Sequence, residues 1–232
     1  MQNNGGMDSG WRSALATRRQ RLIVTALLAA LGLLVAACSA ESHRVAIPAA
    51  QLTITPANGT DNAQPNQGVT VTASHGVIKN VTVTEGADPL SGSFNASGTT
   101  WQSVWALQPS SEYVATATAV SSSGKTVTET SSFRTLTPSA TVQAQTVLGD
   151  GQDYGVGMPI AITFSRPVTN KVAVERSLQL TTSKPVTGAW YWDGDETVAF
   201  RTRTYWPEHT RVSFVAHLDG VEAAPGVYGT AN

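Results

Sequence analysis

The 232-residue chain has a single cysteine, Cys38, and only four histidines. One sulfhydryl excludes a disulfide within the chain. If Cys38 is engaged elsewhere, no thiol remains for nucleophilic chemistry or metal binding. His43, His75, His209 and His217 share no repeated spacing with one another or with carboxylates, so no metal centre is expected. No glycine-rich loop precedes a helix, so Gly155 and Gly157 do not read as a phosphate loop, and no cofactor is expected. Charged residues are scarce, at 13%. Once the four arginines and one aspartate ahead of Cys38 are set aside, the net charge is about −4. That balance argues against a nucleic-acid partner, which would want a basic face.

What is present begins with an address. Arg12, Arg18, Arg19 and Arg21 form a charged start, and Leu22 to Ala37 is an uncharged, largely apolar run. Sixteen residues of helix reach ~24 Å, short of the ~30 Å hydrocarbon core, so the run reads as a secretory signal over residues 1–37 and not as a span. Val35-Ala36-Ala37-Cys38 resembles the bacterial lipobox at all four positions. That resemblance implies a thioether-linked diacylglycerol on Cys38, with palmitate-type chains. Two such chains anchor a protein stably where one does not. The expected location is the cell membrane, lipid-anchored on its extracytoplasmic face beside the cell wall. Arg18-Arg19 also fits a twin-arginine signal, although Arg21 departs from the aromatic residue expected there, and the general and twin-arginine export routes both stay open.

Residues 38–50 are polar, then alanine-rich with Pro48, and read as a tether. From Gln51 to Thr137, branched residues alternate with threonine in short runs: Val69 to Ala73, Val77 to Thr84, Trp101 to Leu107, Tyr113 to Val120 and Thr126 to Phe133. Gly59, Gly76, Pro89, Gly92, Pro109 and Gly124 punctuate them. Such spacing predicts a β-sandwich, with no useful helix. Leu107-Gln108-Pro109 followed by Tyr113 fits a tyrosine corner, whose hydroxyl bonds back to upstream backbone, and equally a core tyrosine opening a strand. Residues 138–232 form a second module with strands through Ile160–Phe164, Leu178–Leu180, Val198–Thr202 and Val212–Leu218, and a short helical turn within Asn170–Ser177. Trp190 and Trp192 share one strand face, expected to be core, with Tyr191 opposite. Asp193, Asp195 and Glu196 around Gly194 read as a hairpin turn in preference to a calcium loop. The fold class is therefore all-β: two tandem β-sandwiches, residues 51–137 and 138–232, after an N-terminal signal and lipoprotein segment.

The second module carries Asp153-Tyr154-Gly155-Val156-Gly157-Met158-Pro159-Ile160, Gly188-Ala189-Trp190-Tyr191-Trp192, Tyr205-Trp206-Pro207-Glu208-His209-Thr210, His217-Leu218-Asp219-Gly220-Val221 and Gly226-Val227-Tyr228-Gly229. In this order these segments resemble the immunoglobulin-like domain upstream of the catalytic domain in actinobacterial L,D-transpeptidases. The resemblance covers nearly all of residues 139–232, and 51–137 less specifically. It implies that the two tandem sandwiches are immunoglobulin-like, and that the chain is an exported lipoprotein concerned with cross-linking peptidoglycan peptides.

The same resemblance implies a catalytic cysteine in a Ser-His-Gly-Cys segment, with a histidine base upstream. Neither that segment nor any cysteine after Cys38 occurs in these residues. As given, the chain is expected to be non-catalytic: a fragment, the product of a truncated gene, or a free-standing wall module. No catalytic residue is assigned. The expected partners are the membrane through the lipid on Cys38, peptidoglycan, and a catalytic transpeptidase domain if the chain is a fragment. A non-enzymatic module binding wall glycan or peptide is the alternative. Tyr191, Tyr205 and Trp206 are the candidate aromatic surface, for a neighbouring domain or a ligand.

Overall fold

The computed structural model describes residues 48–230. The signal segment, Cys38 and most of the tether lie outside these residues. Of the tether, Pro48 and Ala49 are exposed, whereas Ala50 is buried.

Eight strands belong to the first module: β1 (Gln51–Thr55), β2 (Thr70–Ser74), β3 (Gly76–Glu85), β4 (Asp88–Pro89), β5 (Gly92–Phe94), β6 (Thr100–Ser103), β7 (Glu112–Ser121) and β8 (Thr126–Arg134). They form two four-stranded sheets, ordered β1-β2-β6-β5 and β4-β3-β7-β8. β2 and β3 are nearly contiguous yet lie in different sheets. The chain passes between them at His75, whose φ of +56° turns it sharply. Alternation sets which side chains enter the core. Val69 and Val71 come from one sheet's side, and Val83, Ala115, Ala117 and Phe133 from the other. Along β7 the odd positions are buried, while Thr116 and Thr118 on the outer face pair with Thr130 and Thr128 through hydroxyl contacts of 3.1 Å. Gly92 has no side chain because the Trp101 indole covers that place: a Cβ there would sit 1.9 Å from the ring.

The second module contains β9 (Ala140–Val142), β10 (Ala144–Thr146), β11 (Ile160–Phe164), α1 (Lys171–Arg176), β12 (Leu178–Thr182), β13 (Gly188–Asp193), β14 (Thr197–Thr202), β15 (Val212–Ala216), β16 (Glu222–Ala224) and β17 (Val227–Gly229). The main sheet is ordered β10-β11-β14-β13. β12 pairs with β15, and β16-β17-β9 closes the module through a parallel β17–β9 pairing. Its separate core gathers Val142, Ile162, Phe164, Val174, Val198 and Leu218. Trp190 and Trp192 pack against this core from one face of β13, as expected. Trp192 stacks on Phe164 with ring centroids 5.6 Å apart, and its indole N–H donates to Glu175 Oε1 at 2.6 Å. The expected helical turn is α1.

β13 and β14 form a hairpin with Asp193 opposite Thr197, so the acidic cluster is a turn. Lys171 holds it, with Nζ 2.8 Å from Asp195 Oδ1 and 2.9 Å from the Gly194 carbonyl. Among the described residues, no group of three or more metal-ligating side chains converges.

Two strands end earlier than their sequence readings. Val212–Leu218 is strand only to Ala216. The run Trp101–Leu107 is strand only to Ser103. Trp105, Ala106 and Leu107 leave the sheet: Leu107 turns back into the first core, whereas Ala106 packs on the second core and Trp105 stacks on His217.

Candidate functional site

The departure of Trp105–Leu107 builds a joint between the two modules. Leu107 is fully buried in the first core, and its N–H donates to the Pro65 carbonyl at 2.9 Å. Ala106 packs against the second core. Trp105 stacks on His217 with ring centroids 3.7 Å apart and planes 11° from parallel. Gly220 approaches so closely that a Cβ there would lie 1.8 Å from the Leu107 carbonyl oxygen, and its φ of +69° is one that side chains resist. Two polar contacts flank this apolar centre. The Tyr228 hydroxyl donates to Gln64 Oε1 at 2.9 Å, and Asn66 Nδ2 donates to Glu222 Oε2 at 3.2 Å.

The first module braces its side of the joint. Tyr113 is buried, and its hydroxyl accepts the Gln108 N–H at 2.8 Å and donates to Glu85 Oε2 at 3.0 Å. This is the back-bond of a tyrosine corner, which decides between the two readings left open by the sequence. Burial, reinforced by the Glu85 carboxylate, pushes the phenol well above its usual range, so it stays a donor at any ordinary pH. Thr135 adds a second tie, its hydroxyl donating to the Gln108 carbonyl at 2.7 Å and accepting the Ser111 N–H at 2.9 Å. The corner and the joint are thus one piece of backbone, residues 105–111.

His217 also faces Gln179 across 2.9 Å. Burial lowers its pKa below the ordinary imidazole value. The sign follows: the assembled joint favours the neutral ring, so its stability is fully present above about pH 6.5 and is lost as pH falls through the depressed value. Proton NMR titration of His217 should give a midpoint below about 6.5. Trp105→Ala should raise it toward that value. An intact-protein midpoint at or above 6.5 would refute the burial of this ring by Trp105.

A second feature lies at the end of the main sheet of the second module. Met158, Pro159, Arg201, Arg203 and Tyr205 line a groove of about 420 Å³. The loop before β11 is fixed there by Trp206: its backbone N–H donates to the Val156 carbonyl at 2.9 Å and its indole N–H to the Met158 carbonyl at 2.7 Å. Trp206 also leans on Phe200, centroids 5.9 Å apart. Trp206 is therefore half-buried with its only side-chain donor engaged, a scaffold for the groove. Tyr205 is 75% exposed and Tyr191 59% exposed. Tyr191 stands opposite Ala199 on the outward face of β13, and Arg201 opposite Ala189 one row away on the same face, whereas Tyr205 lies past the end of β14 and Tyr191 does not line the groove. Sequence reasoning found these aromatics but not the arginines. The available signal was the alternation Arg201-Thr202-Arg203, which puts both charges on one side of an extended segment.

Two β-sandwiches joined in this way define a tandem immunoglobulin-like protein. A family model described as a bacterial Ig domain matches residues 60–222, and the chain belongs to that family. It is homologous to mycobacterial L,D-transpeptidases, as its motifs imply. It is 34% identical over 187 residues to L,D-transpeptidase 5 of Mycobacterium tuberculosis, covering 78% of this chain and 42% of that protein. It is 31% identical over 183 residues to L,D-transpeptidase 2 of the same species, covering 78% and 45%. The chain thus spans less than half the length of these curated relatives. Among solved structures, Mycobacterium tuberculosis L,D-transpeptidase 1 is 34% identical over 40% of each chain with a TM-score of 0.28. An L,D-transpeptidase from Mycobacterium smegmatis is 27% identical over 32% of this chain and 35% of its own, with a TM-score of 0.29.

Proposed function

We propose that this chain is the lipid-anchored, immunoglobulin-like spacer region of an L,D-transpeptidase that takes part in peptidoglycan cross-linking and wall biogenesis. The observation that carries the reading is the homology to L,D-transpeptidase 5 over 187 residues, through both modules. The family's chemistry uses a cysteine thiolate. Cys38 is the only cysteine in this sequence and is assigned to the lipid, so residues 39–232 hold a partner domain and do not perform acyl transfer. The joint serves this role, because a spacer sets a distance only if its parts keep a fixed angle.

Fractionation tests the anchor. The wild-type chain should sediment with membranes, and Cys38→Ala should leave them. A variant that stays membrane-bound would overturn acylation at Cys38 as the attachment.

The open groove beside Tyr205 favours a second reading, a non-enzymatic module that binds the wall. The full chain should then be retained on purified insoluble peptidoglycan, whereas a pure spacer should wash through.

A further inference from the structure

We infer that the groove lined by Arg201, Arg203 and Tyr205 is a binding subsite for a short peptide bearing free carboxylates, such as the peptide stems of the wall polymer. The inference deepens the wall-binding reading and rests on it.

The charge argument comes first. Among the described residues, ion pairs engage Arg134 with Glu112 and Lys171 with Asp195, and none engages Arg201 or Arg203. No acidic residue lines the groove. Each guanidinium presents a planar fork of donors that matches a carboxylate in two parallel bonds. Arg201 lies on β14 and Arg203 one residue past its end, where its N–H still donates to the Thr187 carbonyl at 2.8 Å; both line the same groove, which suits two carboxylates of one small ligand. The register explains why Arg201 stays uncovered: it stands opposite Ala189, whose methyl group is too short to shield or neutralise it.

Shape and polarity then narrow the occupant. The groove volume falls within the range of small-ligand sites, which suits a few residues of peptide and not the face of a folded protein. Tyr205 supplies an exposed flat ring at one wall, against which Gly157 leaves ordinary contact room: a Cβ there would lie 3.5 Å from the ring. Met158, 37% exposed, and Pro159 supply apolar surface for the aliphatic parts of the ligand. Trp206 holds the Met158 carbonyl and keeps this wall in place without the ligand. The site is preformed and open, so its affinity is modest. Exposed ion pairs contribute ~0–1 kcal/mol each and are screened by salt.

The test uses the full chain and a synthetic wall-stem tetrapeptide with two free carboxylates, with its carboxamide counterpart as the comparison probe. NMR should show the acid form shifting the Arg201 and Arg203 side-chain signals and the Tyr205 ring. The carboxamide should bind roughly tenfold more weakly, and the acid form should weaken as salt rises. The double variant Arg201→Gln, Arg203→Gln should bind the acid form about tenfold more weakly while retaining the fold, because both side chains are exposed. Equal binding of acid and carboxamide, or no change in the double variant, overturns the inference. Tight binding of a glycan strand stripped of peptides, with no response to the acid peptide, also overturns it and assigns the surface to sugar stacking. Retention on insoluble peptidoglycan reports separately on the wall-binding reading. A chain retained there yet unaffected by the arginine changes keeps that reading and loses this one.

Discussion

Gly220→Val is expected to part the two modules while each keeps its own core. The valine Cβ would fall 1.8 Å from the Leu107 carbonyl oxygen and 2.8 Å from the Pro65 Cβ, and the φ of +69° strains any branched residue. The conformational strain alone is ~1–3 kcal/mol. The clash is with backbone, which cannot rotate away as a side-chain tip would. Module separation relieves the clash, at the expense of the Trp105–His217 stack and the Gln64–Tyr228 bond, while the turn that sets the φ stays within the second module. The measurement is the distance between spin labels at introduced cysteines, Ser122→Cys in one module and Val172→Cys in the other, in a full chain carrying Cys38→Ser. The parent should give one narrow distribution, and Gly220→Val a broad one. Trp105→Ala, which removes the stack without touching the glycine, should broaden it less. A broad parent distribution would mean that the modules are independent beads and that the close contact does not hold them.

Leu107→Ala is expected to destabilise the protein by ~2–5 kcal/mol, the range for emptying a fully buried leucine site. Leu107 closes the first core from above and carries the backbone that meets Gly220, so the vacated space cannot collapse without moving the joint. Tyr113 and Thr135 hold the neighbouring Gln108 from both sides and further limit relaxation. Denaturant titration would read the loss directly, with the thermal midpoint falling ~5–15 °C. Val114→Ala, at an exposed position on β7, should stay within ~0.5 kcal/mol. Equal, small effects in the two variants would remove Leu107 from its central role.

Much of the fold was legible because its causes are local. Alternation of valine and threonine placed β3, β7 and β8 closely, since period two follows from the pleat whatever the strand pairs with. The Asp193–Glu196 segment read as a turn because its glycine adopts a positive φ and its neighbours are polar. The face of β13 was legible too: Trp190 and Trp192 inward, Tyr191 outward. What failed to read was set by distant partners. Trp105–Leu107 looked like strand because three apolar residues after a strand extend its pattern. Trp206 looked like a candidate surface aromatic because its acceptor, the Met158 carbonyl, lies 48 positions away. Arg201 and Arg203 went unread, because the absence of an acidic neighbour is a property of space and not of order along the chain.

By itself, then, the sequence determined that this is an all-β protein of two sandwich modules with one cysteine, because residue type and spacing act over a few positions and need no partner to be read. Tertiary structure alone decided the joint and the groove. Gln64 meets Tyr228 across 164 positions, and Asn66 meets Glu222 across 156. Such contacts arise when separately formed surfaces prove complementary, and no local periodicity encodes that fit.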